Sequence, residues 1–280
     1  MEKKKQFKIL GISIWRILAY FIIYSVVGFI IETLFALIFY NVLESRQSFL
    51  YGPFCGIYGV GAVFMILILN KYFNKNNHIL FIGGFIVGSF VEYTLSLIGE
   101  VLLNVRWWDY SNRFLNINGR ICFLYSLFWG LLAVYLMKVI NPKIDKFIDW
   151  CKKKVNIKFS KIITLMIFIF LIIDCIISGI AISFCLIRKS VENDLDINNK
   201  EKAIKIYNKV YNNEELSKFI YKYWNDEKIV KTYPNLTLTL RDGKIMYIKD
   251  FTPEIKPYYY KFKERNILHT KYESINSKSK

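Results

Sequence analysis

The chain has 280 residues, of which 54% are hydrophobic, 18% aromatic and 22% charged, and the apolar residues gather into long runs up to Ile187 and form none from Arg188 onward. A net charge of +17 would point to nucleic acid in a soluble chain, but here Lys and Arg collect at the ends of apolar runs, where they set membrane orientation; the implied partner is the lipid bilayer, not nucleic acid. Five cysteines without a CxxC pair and two distant histidines, His78 and His269, leave no metal site and imply no cofactor.

The chain opens on Lys3-Lys4-Lys5, yet the apolar run after Arg16 is too long for a cleaved leader, contains Glu32 and lacks a small-residue cleavage site, so it reads as a retained first helix. A bilayer core of about 30 Å requires about 20 apolar residues per helix. Five segments qualify: 17–40, 54–69, 79–103, 121–140 and 162–187. The second is the shortest and follows Tyr51-Gly52-Pro53, which admits a partly re-entrant start. The fold class is therefore an all-α polytopic membrane protein with about five transmembrane helices over residues 1–187. Residues 188–280 form an extramembrane polar tail, small α+β with a disordered end from about His269.

Lys3, Lys4, Lys5, Lys8 and Arg16 precede the first span, and Lys143, Lys146, Lys152, Lys153, Lys154, Lys158 and Lys161 follow the fourth. The positive-inside rule places both flanks in the cytoplasm, with an odd span count leaving the tail outside. The outer loops then carry Arg46 alone and Arg106, Arg113 and Arg120. In the tail, residues 199–211 and 213–224 have helical periodicity, and 236–240 with 245–251 flank an Arg241-Asp242-Gly243 hairpin turn.

Acids inside a bilayer usually face a bundle interior or an aqueous path. Glu32, Glu92, Glu100 and Asp174 are the cases here. On the third span, Gly84, Gly88, Glu92, Ser96 and Glu100 recur every fourth residue, a stripe narrow enough for close helix approach. Ser25, Gly28, Glu32 and Ala36 repeat the device on the first span, and Ser126, Gly130 and Ala133 on the fourth, so the three narrow faces are expected to meet. Glu32 and Glu92 then lie in the outer membrane half and Glu100 at its edge, near Arg46, Asp109 and Arg120, which predicts an outward-facing charged pocket of these six residues. The alternative is that the acids are structural pairs that fix register. Asp109 pairs with Arg46 or meets a ligand, Trp107 and Trp108 form an interfacial belt, and Asp174 serves packing or contact with another copy of the chain. Cys55 and Cys122 lie near the same end; free thiols are favoured over a disulfide.

Two stretches together carry a resemblance. They run from Glu44-Ser45-Arg46-Gln47-Ser48-Phe49-Leu50-Tyr51-Gly52-Pro53-Phe54-Cys55 to Gly61, and from Trp107-Trp108-Asp109-Tyr110-Ser111 through Asn116-Ile117-Asn118-Gly119-Arg120 to Cys122. With Tyr24-Ser25, Gly28, Glu32, Glu92-Tyr93 and Asn141-Pro142, they resemble the bacterial ABC-transporter type IV permease-like membrane proteins over about 17–142. Ser45-Arg46-Gln47 stands where that family usually shows Asn-Arg-Gly, and Gly56 where it shows Pro; the fifth span and the tail lie outside the resemblance. It implies the membrane component of a transport system. No GxxxxGK[ST] loop is present, so ATP hydrolysis belongs to a separate subunit, for which the 141–161 loop with Ile144, Phe147, Ile148 and Trp150 is either a docking helix or a plain topology anchor. With no histidine in any span and no nucleotide motif, the chain does not read as an enzyme; carboxylate chemistry is the residual enzymatic reading, and an envelope scaffold or sensor is the non-transport one.

Overall fold

A computed structural model describes residues 7–74 and 76–262. The Lys3-Lys4-Lys5 start and the stretch from His269 lie outside them. After a short hairpin of β1 (Lys8–Ile9) and β2 (Ile12–Ser13), the chain runs through α1 (Ile14–Tyr40), β3 (Val42–Leu43), α2 (Gly56–Leu69), α3 (Asn77–Leu103), α4 (Phe123–Tyr135), α5 (Asn141–Lys154) and α6 (Ile157–Glu192). Among the described residues four helices are long and apolar enough to cross a membrane: α1, α3, the joined α4 and α5, and α6. The fifth, α2, is shorter, and the total agrees with about five spans. Both α1 and α3 stop at an asparagine in the left-handed region, Asn41 and Asn104, a conformation asparagine tolerates better than most residues.

The shortness of α2 is compensated by its approach. Residues 48–55 are not helical, yet Leu50 is fully buried, and the segment lies beside the middle of α6. Its backbone donors find protein acceptors: the Leu50 N–H donates to Ser178 Oγ (2.7 Å), the Tyr51 N–H to the Asp174 carboxylate (3.3 Å) and the Cys55 N–H to the Ser25 carbonyl (2.8 Å). Irregular backbone in an apolar setting requires such partners. Asp174 is therefore buried packing within this chain and is not offered to another copy.

The fourth span and the basic segment after it form one continuous 32-residue helix rather than a span and a loop. A wide π turn, Leu136–Ile140, joins α4 to α5 just before Pro142. Proline lacks an N–H and removes one rung of the α ladder, and the wider turn absorbs that loss.

The expected meeting of three narrow faces does not occur. The α1 stripe faces α2, with a Cβ at Gly28 placed 2.3 Å from Tyr58 Cβ, whereas the α3 stripe faces α4, with a Cβ at Gly84 placed 2.1 Å from Ala133 Cβ. Gly88 abuts Trp129, Gly130 abuts Phe81, and Ser89 Oγ donates to Ser126 Oγ at 2.7 Å. Two tight pairs thus result, joined by packing of α2 on α3 and α1 on α6.

A helix of 36 residues is about 54 Å long, well beyond a hydrocarbon core of about 30 Å. The far end of α6 becomes the base of the tail. There α7 (Lys200–Tyr211), α8 (Glu214–Tyr223) and α9 (Asp226–Thr232) precede an antiparallel hairpin of β4 (Thr237–Thr239) and β5 (Ile245–Tyr247), and β6 (Tyr260–Lys261) pairs with β3. Ile229, Val230, Leu236 and Leu238 share a core with Leu50, Val105, Ile182 and Leu186. The tail and the 41–55 and 104–122 loops accordingly occupy one end of the bundle. At the other end Arg16 pairs with Asp145 (2.7 Å), and Tyr24 donates to Asn141 Oδ1 (3.1 Å).

Candidate functional site

A half-open cavity of about 440 Å³ lies where the end of α1, the two loops and the tail hairpin converge. Glu32 enters it from α1, Glu44 and Arg46 from the first loop, and Arg106 and Asp109 from the second; Asn235 and Thr237 close it from the tail. The loop and tail are tied together there, since Thr237 Oγ1 donates to the Arg106 carbonyl (2.6 Å) and the Thr239 N–H to the Asn104 carbonyl (2.9 Å). Phe35, Tyr40, Trp107, Trp108 and Tyr247 supply aromatic walls.

Three of the six predicted pocket residues, Glu32, Arg46 and Asp109, thus line one cavity. Their pairing differs from expectation. Arg46 meets Glu44 at 2.6 Å, not Asp109, because the nearer carboxylate two residues away captures it first. Asp109 instead faces Arg106 at 3.5 Å and accepts from the Ser111 N–H and hydroxyl. Burial pushes the Glu44 carboxyl up, with the Arg46 charge opposing the shift.

Glu100 and Arg120 stand beside the cavity rather than in its wall. Glu100 Oε2 takes Arg106 at 3.0 Å and Arg120 at 2.7 Å, so one carboxylate clamps both ends of the second loop. Trp108 Nε1 donates to the Arg120 carbonyl (2.8 Å), and Gly119, at φ +67°, turns the loop tightly against Ser111 and Asp109. The tryptophans are structural and cavity-lining residues. Trp107 fills the space opposite Gly99.

Glu92 sits apart from the cavity, buried between α3 and α4. It accepts from Tyr110 Oη (3.1 Å) and Trp129 Nε1 (2.9 Å), and no cation pairs with it among the described residues. Burial first, then the Glu92 charge, holds the Tyr110 hydroxyl far above the usual phenol range, so it stays a donor. Gln at position 92 offers one acceptor oxygen to two donors. Glu92→Gln is therefore expected to lower the melting temperature in detergent, at a cost of about 1–3 kcal/mol for the stranded donor. A variant as stable as the native chain would mean that Tyr110 and Trp129 do not both depend on the carboxylate.

Ser96 lies fully buried on the same stripe, and its hydroxyl has no partner among the described residues. Cys55 and Cys122 are buried free thiols at the starts of α2 and α4. Among the described residues no three His, Cys, Asp or Glu side chains gather in a metal-holding group, and the cavity lining is charged and aromatic. Sequence reasoning passed over Glu44 and the tail residues Asn235, Thr237 and Tyr247; the short Thr237-Leu238-Thr239 run carried no sign of a bundle partner.

This architecture is that of a polytopic helical membrane protein whose C-terminal tail completes a charged, aromatic cavity at one end of the bundle. The family model described as Putative ABC-transporter type IV matches residues 19–179, more than half of the chain, and the chain belongs to that family. The match takes in most of α6, so the family region reaches the fifth span and Asp174, beyond the 142 limit that motif resemblance set. No curated protein and no solved structure matches the chain.

Proposed function

We propose that the chain is the membrane component of a transport system, a permease-like subunit of ABC type, with the cavity at the tail end as its solute site. The observation that supports it is the convergence of Glu32, Arg46, Arg106 and Asp109 on one half-open cavity built from three separate stretches of chain. Pockets of roughly 300–1,000 Å³ with a few placed polar groups suit small solutes. In this reading the protein sits in the bacterial plasma membrane, with the N-terminus and α5 cytoplasmic and the cavity facing outward.

Energy comes from a separate ATPase, and the chain performs no catalysis of its own. The docking element is α5: Asn141 and Ile148 are buried against the bundle, while Phe147 and Trp150 stack together and stay exposed beside Lys152, Lys153 and Lys154. The scaffold or sensor reading treats the tail as an independent binding module, and the core it shares with Leu50, Val105 and Leu186 weighs against that.

Solute exchange tests the proposal. Cells with the native chain, without it, or with Glu32→Gln are grown in one defined medium, and the solutes taken up or released are compared. At least one solute is expected to depend on the chain and to fall at least tenfold in the variant at equal protein amount. Identical exchange in all three would remove the transport reading.

A further inference from the structure

We propose that the cavity selects an organic cation, an ammonium group carried on a small apolar body; this rests on reading the cavity as a solute site. Among the described residues, the charged side chains that line the cavity are paired with one exception. Arg46 is held by Glu44 (2.6 Å), and Arg106 by Glu100 (3.0 Å) and Asp109 (3.5 Å), with Arg120 also on Glu100. Glu32 takes a hydrogen bond from Tyr58 Oη at 2.6 Å, which engages Oε1, and has no ion pair among the described residues. Its second oxygen is left for whatever enters.

An anionic solute would have to pull an arginine from its carboxylate while facing Glu32. A cation meets Glu32 and leaves every existing pair intact. The walls suit the same ligand. Tryptophan and tyrosine faces attract ammonium groups within about 6 Å of the ring centroid, and the Tyr247 ring already does so, with Lys249 Nζ 4.7 Å from its centroid. Lys249 acts on Glu44 and lies outside the lining. Trp107, Trp108 and Tyr40 line the same cavity as Glu32.

The test uses the full chain in detergent with benzyltrimethylammonium as probe, and phenylacetate and 2-phenylethanol as its anionic and neutral counterparts. Tryptophan fluorescence and melting temperature are followed against concentration. The ammonium is expected to bind saturably and at least tenfold more tightly than either counterpart. Glu32→Gln, which keeps an acceptor for Tyr58, should weaken it at least tenfold. Tyr247→Leu, at a half-exposed position on the tail, should weaken it several-fold and serves if Glu32→Gln does not fold. Equal binding of the neutral alcohol, no saturable binding, or unchanged affinity in both variants would overturn the proposal. Ammonium binding by a chain whose loss changes no solute exchange would keep the ligand class and remove the transport reading; a chain-dependent solute that is anionic would do the reverse.

Discussion

Gly84→Val is expected to leave little or no folded protein in the membrane. A Cβ at Gly84 falls 2.1 Å from Ala133 Cβ and 2.9 Å from the Trp129 carbonyl oxygen, so the obstacle is partly backbone and cannot rotate away. Overpacking typically costs about 1–3 kcal/mol, occasionally more, and a branched side chain against the α4 backbone belongs at the upper end. Gly84→Ala should already lower the melting temperature in detergent. Adding Ala133→Gly removes the closest contact and should restore part of the loss, while the Trp129 carbonyl keeps the rescue incomplete. Gly179 on α6 is the control. A Cβ there meets nothing within 4 Å, and Gly179→Ala should be neutral or slightly stabilising because alanine is the better helix former by up to about 1 kcal/mol. Equal tolerance at Gly84 and Gly179 would mean that α3 and α4 do not approach as described.

Asp226→Asn is expected to destabilise the tail and its attachment to α6. Asp226 binds both Arg188 and Lys189, the latter at 2.7 Å, and Arg188 is 1% exposed, with its guanidinium also donating to Tyr211 Oη (3.0 Å). Removing the carboxylate strands the buried Arg188 and leaves Lys189 only the more distant Glu192, at 3.8 Å. Breaking a buried pair costs about 3–5 kcal/mol, and because the Asp226 side chain keeps a quarter of its exposure the lower end applies. The same contact predicts a pH dependence. Burial pushes the Asp226 carboxyl up, but the Lys189 hydrogen bond and the Arg188 charge outweigh it and hold the group below the usual carboxylate range. A depressed folded value means that this contribution is fully present above the unfolded carboxylate value of about 3.9 and is lost as pH falls through the folded one. The gap in melting temperature between the native chain and Asp226→Asn should therefore narrow between neutral pH and about pH 3. A constant gap across that range would contradict the assignment.

Much of the membrane part was legible because long apolar runs with a polar break admit few alternatives. The run ends at Tyr40 and Leu103 coincide with the ends of α1 and α3, where asparagines stop both helices. Which faces pack was also readable, since Gly28, Gly84 and Gly130 mark narrow stripes. Which faces meet was not: a small residue announces room for a neighbour without naming it, and Gly28 received Tyr58 of α2 instead of α3 or α4. Charge pairing failed at Arg46 for a related reason, as many carboxylates lie within reach of a loop and only folding selects Glu44. Asp174 looked unpartnered because its partners are the Tyr51 backbone N–H and Ser178, and backbone donors leave no mark in a sequence. The Asn141-Pro142 step read as a loop because proline ordinarily breaks a helix interior, whereas here the wide turn at Leu136–Ile140 carries the helix past it.

The proposed solute site requires the cavity to open to the cell exterior, at the end of the bundle opposite α5. With the five native cysteines replaced, Asn235→Cys puts a thiol on the exposed cavity wall and Lys153→Cys puts one on α5. An impermeant thiol reagent applied to intact cells is expected to label the Asn235→Cys chain, and to label the Lys153→Cys chain only after the cells are permeabilised. Labelling of Lys153→Cys in intact cells, with Asn235→Cys protected until permeabilisation, would invert the orientation and contradict an outward-facing solute site.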